Sequence, residues 1–421
     1  MHINQTFHIE APYGLINDPN GLSYFKGQYY IFFQWNPKAL DHSYKEWGLV
    51  TSKDLIHLST PKRVLQPDQP YDCNGVYSGS GLVFHDQLYL YYTGNVKKDQ
   101  QRCPSQCLAI SEDGVHFEKK GVVLNQPAYV TGHFRDPKVT YDNGFSMVIG
   151  AQLRNKKGAI LRYTSTKGRE FAFQDQIGTS ETYQMIECPD LFHLDGHNIL
   201  LYGLQARDAK DECLESHCVY LIDHFTHLDH GEMVDAGFDF YAPQTLIDAQ
   251  GRRIMIGWMS RLSDAQENIL KKHAAHIHCL TMPRVLTLKN QHLYQQPLKE
   301  MYQLLGKQKS LQDQISRTFY LKLTQSEHFH LNINQEMKIH YDHGRFTLER
   351  YDWSQDNYET KEVKIDRFTN MEIWSDTSSF EVFLNDGAYV FSLRTLPRSE
   401  TIQILFLGDG QPHIQELEVH K

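Results

Sequence analysis

The apolar positions of this chain fall in short runs, many of which alternate with polar positions, and turn-forming residues separate them. Runs of Val, Ile, Thr, Tyr and Phe at this spacing predict β-strands. Five segments repeat one pattern: a proline or glycine, most often after a polar or acidic residue, precedes two apolar strands joined by a turn. The segments begin near Asn20, Ser80, Pro137, Pro189 and Pro243.

The repeat has a spacing of about 52 to 60 residues, near the upper end of the range for blades of a β-propeller. The pattern therefore predicts five blades. In a propeller the first strand of each blade lines the central channel. We accordingly expect Asp18, Asp136 and Glu187, which stand at the starts of these strands, to meet in one pocket.

The pattern changes near residue 296. Leu298, Met301 and Leu304 follow one another at helical spacing, which predicts a short linker helix. About a hundred residues of short alternating strands come next, as is typical of a β-sandwich. We predict an all-β chain with a five-bladed β-propeller over 1–295, a linker helix over 296–316 and a C-terminal β-sandwich over 317–421.

The charge and the hydropathy of the chain limit the kinds of partner that it is expected to bind. The 421 residues carry a formal net charge of -9 and no basic stripe, which argues against a nucleic-acid groove. No apolar run is long enough to span a membrane, and the first residues lack the features of a signal peptide. We expect a cytoplasmic protein that binds a small polar molecule and neither nucleic acid nor membrane; oligomeric state is left open.

Cysteine and histidine positions do not predict a metal centre. The seven cysteines are odd in number and scattered, so reduced thiols are the simplest interpretation. His273, His276, His278 and Cys279 stand at ligand-like spacing, but histidines that line a cleft or cover a blade edge are the simpler alternative. We expect neither a metal nor a cofactor.

The three acids at equivalent blade positions are the candidate chemistry. Carboxylates gathered in a polar pocket, without metal-ligand spacing or a Ser-His pair, suit nucleophilic and acid-base work on an acetal. A single Asp in a turn is more often a residue that caps its own backbone. Three acids at matching positions favour an active site.

Several segments together resemble the signature of glycoside hydrolase family 32, the invertases and fructan hydrolases. Residues 376–387 are similar to the family's C-terminal motif, so the resemblance covers nearly the whole chain. The matching blocks are Gly14-Leu15-Ile16-Asn17-Asp18-Pro19-Asn20-Gly21, Phe33-Gln34-Trp35-Asn36-Pro37, Tyr77-Ser78-Gly79-Ser80, Phe134-Arg135-Asp136-Pro137 and Glu187-Cys188-Pro189-Asp190.

The resemblance implies a role for each acid in a β-fructofuranosidase that acts with retention. Asp18 would attack the anomeric C2 of a terminal fructofuranosyl unit, and Glu187 would serve as general acid and then base. Asp136 would hold two ring hydroxyls in the transition state. We expect the neighbouring acids to raise the pKa of Glu187. The implied substrate-binding residues are Asn17, Gln34, Trp47, Tyr77, Ser78, Arg135 and Tyr241.

Alternatives stay open for two of these residues and for the substrate. Trp47 and Tyr241 could instead be core residues. Relatives that cleave sucrose or its phosphate usually show Trp-Ala-Gly where this chain has His276-Ile277-His278. Sucrose or sucrose 6-phosphate is the expected substrate, with His276, His278 and neighbouring lysines as candidate phosphate contacts. The rivals are an exo-acting fructan hydrolase and a fructan-binding module without catalysis.

Overall fold

A computed structural model describes residues 2–99 and 101–419. It divides into two compact units, which we describe separately: 14–234 with 241–257, and 2–13 with 235–240 and 258–419. Almost all regular structure is strand. The helices among the described residues are short: Asp264–Leu270, and the 3-10 turns Leu228–His230 and Lys299–Leu304. None of these helices is long and apolar enough to cross a membrane.

Within the first unit, four antiparallel sheets each hold four strands in chain order, and the opening strands of a fifth sheet follow. A short pair, Lys97–Lys98 and Gln101–Arg102, lies in the second sheet's connection. The strands are, sheet by sheet, Gly14–Phe25, Gln28–Asn36, Glu46–Ser52 and Lys62–Leu65; Val76–Phe84, Gln87–Gly94, Ser105–Ser111 and Glu118–Asn125; Val130–Tyr141, Phe145–Leu153, Gly158–Ser165 and Ala172–Thr179; Met185–Leu194, His197–Arg207, Cys213–Ile222 and Glu232–Met233; then Phe240–Ile247 and Arg253–Met259.

The first strand of each of the four complete sheets is bulged at an equivalent place. Pairing with the second strand is interrupted at residues 17–18, 78, 136–137 and 188–189. The backbone adopts positive φ at Asp136 (66°), Cys188 (47°) and, in the fifth set, Ala242 (48°). A bulge leaves residues unpaired and turns their side chains. The same irregularity therefore redirects the residues that carry or flank the three acids.

The second unit holds a β-sandwich with a core between two sheets. Leu321, Ile373 and Phe391 from one sheet and Ile339 and Leu348 from the other are fully buried in one cluster. The six-stranded sheet has the order Leu305–Lys309, His413–Leu417, Phe319–Thr324, Asn370–Asp376, Ser379–Leu384 and Tyr389–Arg394; the five-stranded sheet has the order Asn357–Lys364, Arg345–Asp352, Met337–Asp342, His328–Ile333 and Ile404–Gly408. The other strands are His276–Ile277, Cys279–Leu280, Arg284–Lys289, His292–Pro297, and Ile315–Ser316 paired with Thr401–Ile402.

The helix predicted over 296–316 is much shorter than expected. A 3-10 helix covers Lys299–Leu304, and Leu305–Lys309 is a strand that pairs with His413–Leu417. Leu298, Met301 and Leu304 are buried, so their helical spacing does mark one apolar face. Pairing with a distant strand satisfies the following backbone groups, and this tertiary interaction overrides local propensity.

A buried ionic cluster ties the amino-terminal segment to the six-stranded sheet within the second unit. His8 contacts Asp376 through Nδ1 and Glu381 through Nε2, both at 2.9 Å, and all three side chains are buried. Burial alone would lower the pKa of His8, but the hydrogen bonds and charges of the two carboxylates raise it to about 9. His8 is thus a buried cation at neutral pH.

This cluster predicts a loss of stability at alkaline pH. The folded pKa of His8 lies above its unfolded value of 6.5, so its contribution is complete below pH 6.5 and is lost as pH rises through about 9. The shift corresponds to roughly 3 kcal/mol. We expect the thermal unfolding midpoint to fall over this range and His8→Gln to remove most of the slope. The exposed His343→Gln is the control; a slope that His8→Gln leaves intact would contradict the assignment.

Candidate active site

The structure brings Asp18, Asp136 and Glu187 together at the bulged strand starts. The Cys188 Sγ lies 3.9 Å from Asp18 Oδ2 and 3.6 Å from Asp136 Oδ2. The backbone N–H of Cys188 donates to Asp136 Oδ2 at 3.1 Å. Arg135 lies 3.9 Å from Asp136 and 2.9 Å from Glu187, and the charges of Glu187 and Asp18 both act on Asp136, so the third acid is close to the other two. Asp136 is buried, whereas Asp18 and Glu187 are half-buried.

Neutral donors hold the carboxylate of Asp18. Asn17 Nδ2 donates to Oδ1 at 2.9 Å, and Ser78 Oγ donates to Oδ2 at 2.6 Å. Lys45 Nζ donates in turn to Asn17 Oδ1, which fixes the amide with its NH₂ group toward Asp18. Asn17 and Ser78, both predicted from the sequence, therefore orient Asp18.

Glu187 is surrounded by hydrogen-bond donors. Arg135 reaches its Oε1 through Nε at 2.9 Å and also through Nη2. Gln205 Nε2 and the Tyr241 hydroxyl donate to Oε2 at 2.5 and 2.9 Å. Burial acts to raise the pKa of Glu187, but the charge and hydrogen bonds of Arg135, with that of Tyr241, outweigh it and lower the pKa below its ordinary value. The expected rise in the pKa of Glu187 is thus wrong for this arrangement.

The raised pKa belongs instead to Asp136. Burial raises it first; Arg135, 3.9 Å away, opposes the rise, and the negative charges of Glu187 and Asp18 add to it. The result is a pKa of about 7. Repulsion among three close acids is relieved by keeping one proton, as in other carboxylate clusters. The cluster therefore carries one proton below about pH 7, and Asp136 holds it.

Other predicted residues support the strand that carries Tyr77 and Ser78. Trp47 is 0% exposed, and its indole N–H donates to the Tyr77 carbonyl at 3.0 Å. Gln34 Nε2 donates to the Val76 carbonyl at 3.0 Å. Trp47 packs against aromatic rings of the core, so in this structure its contact with the site runs through Tyr77.

Sequence reasoning did not single out His133, Gln205 or Cys188 as site residues. His133 Nδ1 accepts a hydrogen bond from Arg135 Nη1 at 2.8 Å, and burial and the charge of Arg135 lower the pKa of His133 to about 3. His133 precedes Arg135 by two residues on one strand. Because alternate side chains of a strand point to the same face, this spacing could have indicated their contact. Gln205 comes from the neighbouring strand, and nothing in its local sequence marks it.

The histidines considered as phosphate contacts already have acidic partners. His276 Nε2 contacts Glu10 at 2.9 Å and His278 Nε2 contacts Glu267 at 3.1 Å. Lys271 also pairs with Glu267, at 2.6 Å. All of these residues belong to the second unit, whereas the three candidate catalytic acids belong to the first. Their charges are matched locally.

Grouped carboxylates of unequal proton affinity at the strand starts of a propeller define the class as a glycoside hydrolase. Residues 8–297 match the model described as "Glycosyl hydrolases family 32 N-terminal domain", and residues 290–421 match "Glycosyl hydrolases family 32 C terminal". The chain belongs to glycoside hydrolase family 32. The resemblance found in the sequence is confirmed.

Individual relatives agree with this assignment. A sucrose-6-phosphate hydrolase from Bacillus subtilis is 39% identical over 93% of this chain and 89% of its own length. A raffinose invertase from Escherichia coli is 32% identical over 96% and 92%. The structure matches a sucrose-6-phosphate hydrolase from Lactobacillus gasseri with a TM-score of 0.86 and 26% identity, over 99% of this chain and 93% of that one.

A family 32 β-fructofuranosidase from Bombyx mori matches with a TM-score of 0.87 and 27% identity, over 99% of this chain and 94% of that chain. The predicted fold class, a five-bladed β-propeller followed by a β-sandwich, is confirmed by these neighbours together with the strand topology.

The surroundings of Cys188 predict an unreactive thiol. Burial, and then the charges of Asp136, Asp18 and Glu187, raise its pKa well above the usual value, and the thiolate is the reactive form. In iodoacetamide at pH 8 we expect the exposed Cys73 and Cys103 to be alkylated while Cys188 is protected. Mass spectrometry of the peptides measures this, and denatured protein is the control. Equal rates at Cys188 and Cys73 in the native protein would refute the buried acidic environment.

Proposed function

We propose that this protein releases terminal β-D-fructofuranosyl units from sucrose or sucrose 6-phosphate, with retention, through a covalent fructosyl-enzyme. The observation that supports this most strongly is the unequal environment of its acids. Asp18 is held by neutral donors, and Asp136 and Glu187 share one guanidinium, with the pKa raised at Asp136 and lowered at Glu187. Such differences separate a nucleophile from a proton donor. The names of the relatives support the same substrates.

Asp18 is the nucleophile in this proposal. Its carboxylate attacks C2 of the fructosyl unit while the bond from C2 to the leaving oxygen breaks and that oxygen takes the proton of Glu187. In the second step Glu187 accepts a proton from water, the hydroxide attacks C2, and Asp18 is released. The four donors to Glu187 hold it in place for both steps. Asn17 and Ser78 keep Asp18 oriented for attack.

Asp136 links sugar binding to the protonation of Glu187. Hydroxyl groups of the fructosyl unit that donate to Asp136 stabilise its ionised form and lower its proton affinity. The proton that the cluster retains then passes to Glu187, where the leaving group needs it. The ionised Asp136 strengthens its hold on the ring hydroxyls as positive charge develops on the sugar, which is differential binding of the transition state.

Replacement of the two reacting acids tests the assignment. We expect Asp18→Asn and Glu187→Gln to lower kcat for fructose release from sucrose by at least about a thousandfold. Asp86→Asn, on an exposed turn, is the matched control and should keep full activity. A variant that turns over sucrose normally without Asp18 would overturn the mechanism. A wild-type protein that binds the sugar but releases no fructose would instead indicate the non-catalytic binding module.

The proton count predicts the pH profile. Since the cluster loses its proton at about pH 7, kcat/KM for sucrose should fall as pH rises through that value. Tyr241→Phe removes a donor that favours ionised Glu187, so the alkaline limb should move to higher pH, by up to about one pH unit. Tyr129→Phe is the control, because its hydroxyl contacts Tyr163 instead. A limb that moves to lower pH in Tyr241→Phe would contradict this account.

A further inference from the structure

A basic cavity is lined by His133, which contacts Arg135, the arginine that binds Glu187. It has a volume of about 870 Å³. Four cationic side chains line it, Lys97, Arg102, Arg154 and Lys156, against a single carboxylate, Asp211. The formal charge of the whole chain is -9, so this local excess of positive charge runs against the general charge of the protein.

No carboxylate forms a direct ion pair with any of the four cations among the described residues, although the negative charge of Asp211 acts on Arg102. Arg154 Nε donates to the Ala128 carbonyl at 3.0 Å, and Lys156 Nζ lies 3.4 Å from the side-chain oxygen of Gln152. The one carboxylate in the wall, Asp211, is engaged by His133 and by Arg207. Like charges gathered without counter-charge are unfavourable, and a bound anion would relieve the repulsion.

His133 connects the cavity to the catalytic acid. It lines the cavity and accepts a hydrogen bond from Arg135 Nη1 at 2.8 Å, and Arg135 in turn binds Glu187. Glu187 is the acid that protonates the leaving oxygen in the proposed mechanism. The cavity is therefore linked, through His133 and Arg135, to the acid that would protonate the leaving oxygen.

The state of Arg102 agrees with an anion site. Its Nη1 faces His133 Nδ1 at 3.4 Å, but that nitrogen already accepts from Arg135. Partial desolvation, followed by the positive charges of Arg135 and Arg207, lowers the pKa of Arg102, and the opposing charges of Tyr77 and Asp211 do not offset this. A phosphate monoester carries about -1.5 to -2 charges and several acceptor oxygens, and a guanidinium can bind two of them at once.

We propose that this cavity binds the phosphate of sucrose 6-phosphate on the glucosyl leaving group, with Arg102, Arg154 and Lys156 as the principal contacts. The inference rests on the proposed function and deepens it by naming the preferred substrate. It also moves the phosphate contact from the region of His276, where carboxylates already match the basic groups, to the second and third sheets of the first unit.

Substrate preference tests the proposal. We compare kcat/KM for sucrose 6-phosphate and for sucrose in wild type, Arg154→Gln, Lys156→Gln and the double variant. Each single change should lower the ratio of the two values about tenfold, equivalent to about 1.4 kcal/mol, and the double change should lower it further. Lys53→Gln, an exposed charge elsewhere in the same unit, is the control and should leave the ratio unchanged.

The outcomes separate the two proposals. A wild-type protein that hydrolyses neither substrate contradicts the proposed function. Hydrolysis of both substrates with a ratio that the double variant does not change contradicts the phosphate site alone. Circular dichroism and the thermal midpoint show whether each variant is folded, and Arg154→Lys, which keeps the charge, should recover part of the preference.

Calorimetry on Glu187→Gln gives a measurement that does not depend on turnover. We expect glucose 6-phosphate to bind at least about tenfold more tightly than glucose, and Arg154→Gln with Lys156→Gln in this background to remove the difference. Inorganic phosphate is the third ligand. If it binds as tightly as glucose 6-phosphate while the substrate ratio stays unchanged in the variants, the cavity holds a free anion and the proposal is overturned.

Discussion

The arrangement of the site depends on how three neighbouring carboxylates are stabilised when only two of them share the guanidinium of Arg135. Charges taken out of water are costly unless they are paired and hydrogen-bonded. Arg135 lies 2.9 Å from Glu187 and 3.9 Å from Asp136, so one cation offsets parts of two negative charges. Asp18 depends on the neutral donors Asn17 and Ser78. The negative charge left over favours retention of a proton, and general acid catalysis requires one.

Such a cluster needs a scaffold that can hold acids against their repulsion. The bulged first strands supply it, because each bulge turns a side chain while the rest of the strand stays paired within its sheet. Asp136 and Cys188 adopt positive φ, a conformation that costs energy for residues other than glycine. The hydrogen-bonded strands of the four sheets offset this local cost. The positions of the candidate catalytic acids therefore depend on the repeated sheet architecture.

The sequence predicted the parts of the fold that repeat and missed those that depend on a partner strand. The five repeated segments predicted the five sheets and placed the three acids at equivalent positions. Asn357–Lys364 is an edge strand whose side chains are nearly all polar, so apolar alternation does not predict it. Gln205 was missed because it reaches Glu187 from an adjacent strand. The direction of the pKa of Glu187 was wrong because proximity of acids is visible in the motifs, whereas the donors around one oxygen are set by side-chain geometry.

The charge distribution would also allow an acidic site to accept the anionic substrate that we propose. A phosphate group near Asp18, Asp136 and Glu187 would meet repulsion unless cations stood between them, since charges within about 8 Å are poorly screened at physiological salt. Arg135 binds Glu187 and also donates to His133, which lines the basic cavity. Burial and the charge of Arg135 keep His133 neutral. In that position His133 adds no further positive charge, so the guanidinium stays available to the acid. The negative charge of a bound phosphate would in turn favour the protonated form of Glu187, which the first chemical step consumes.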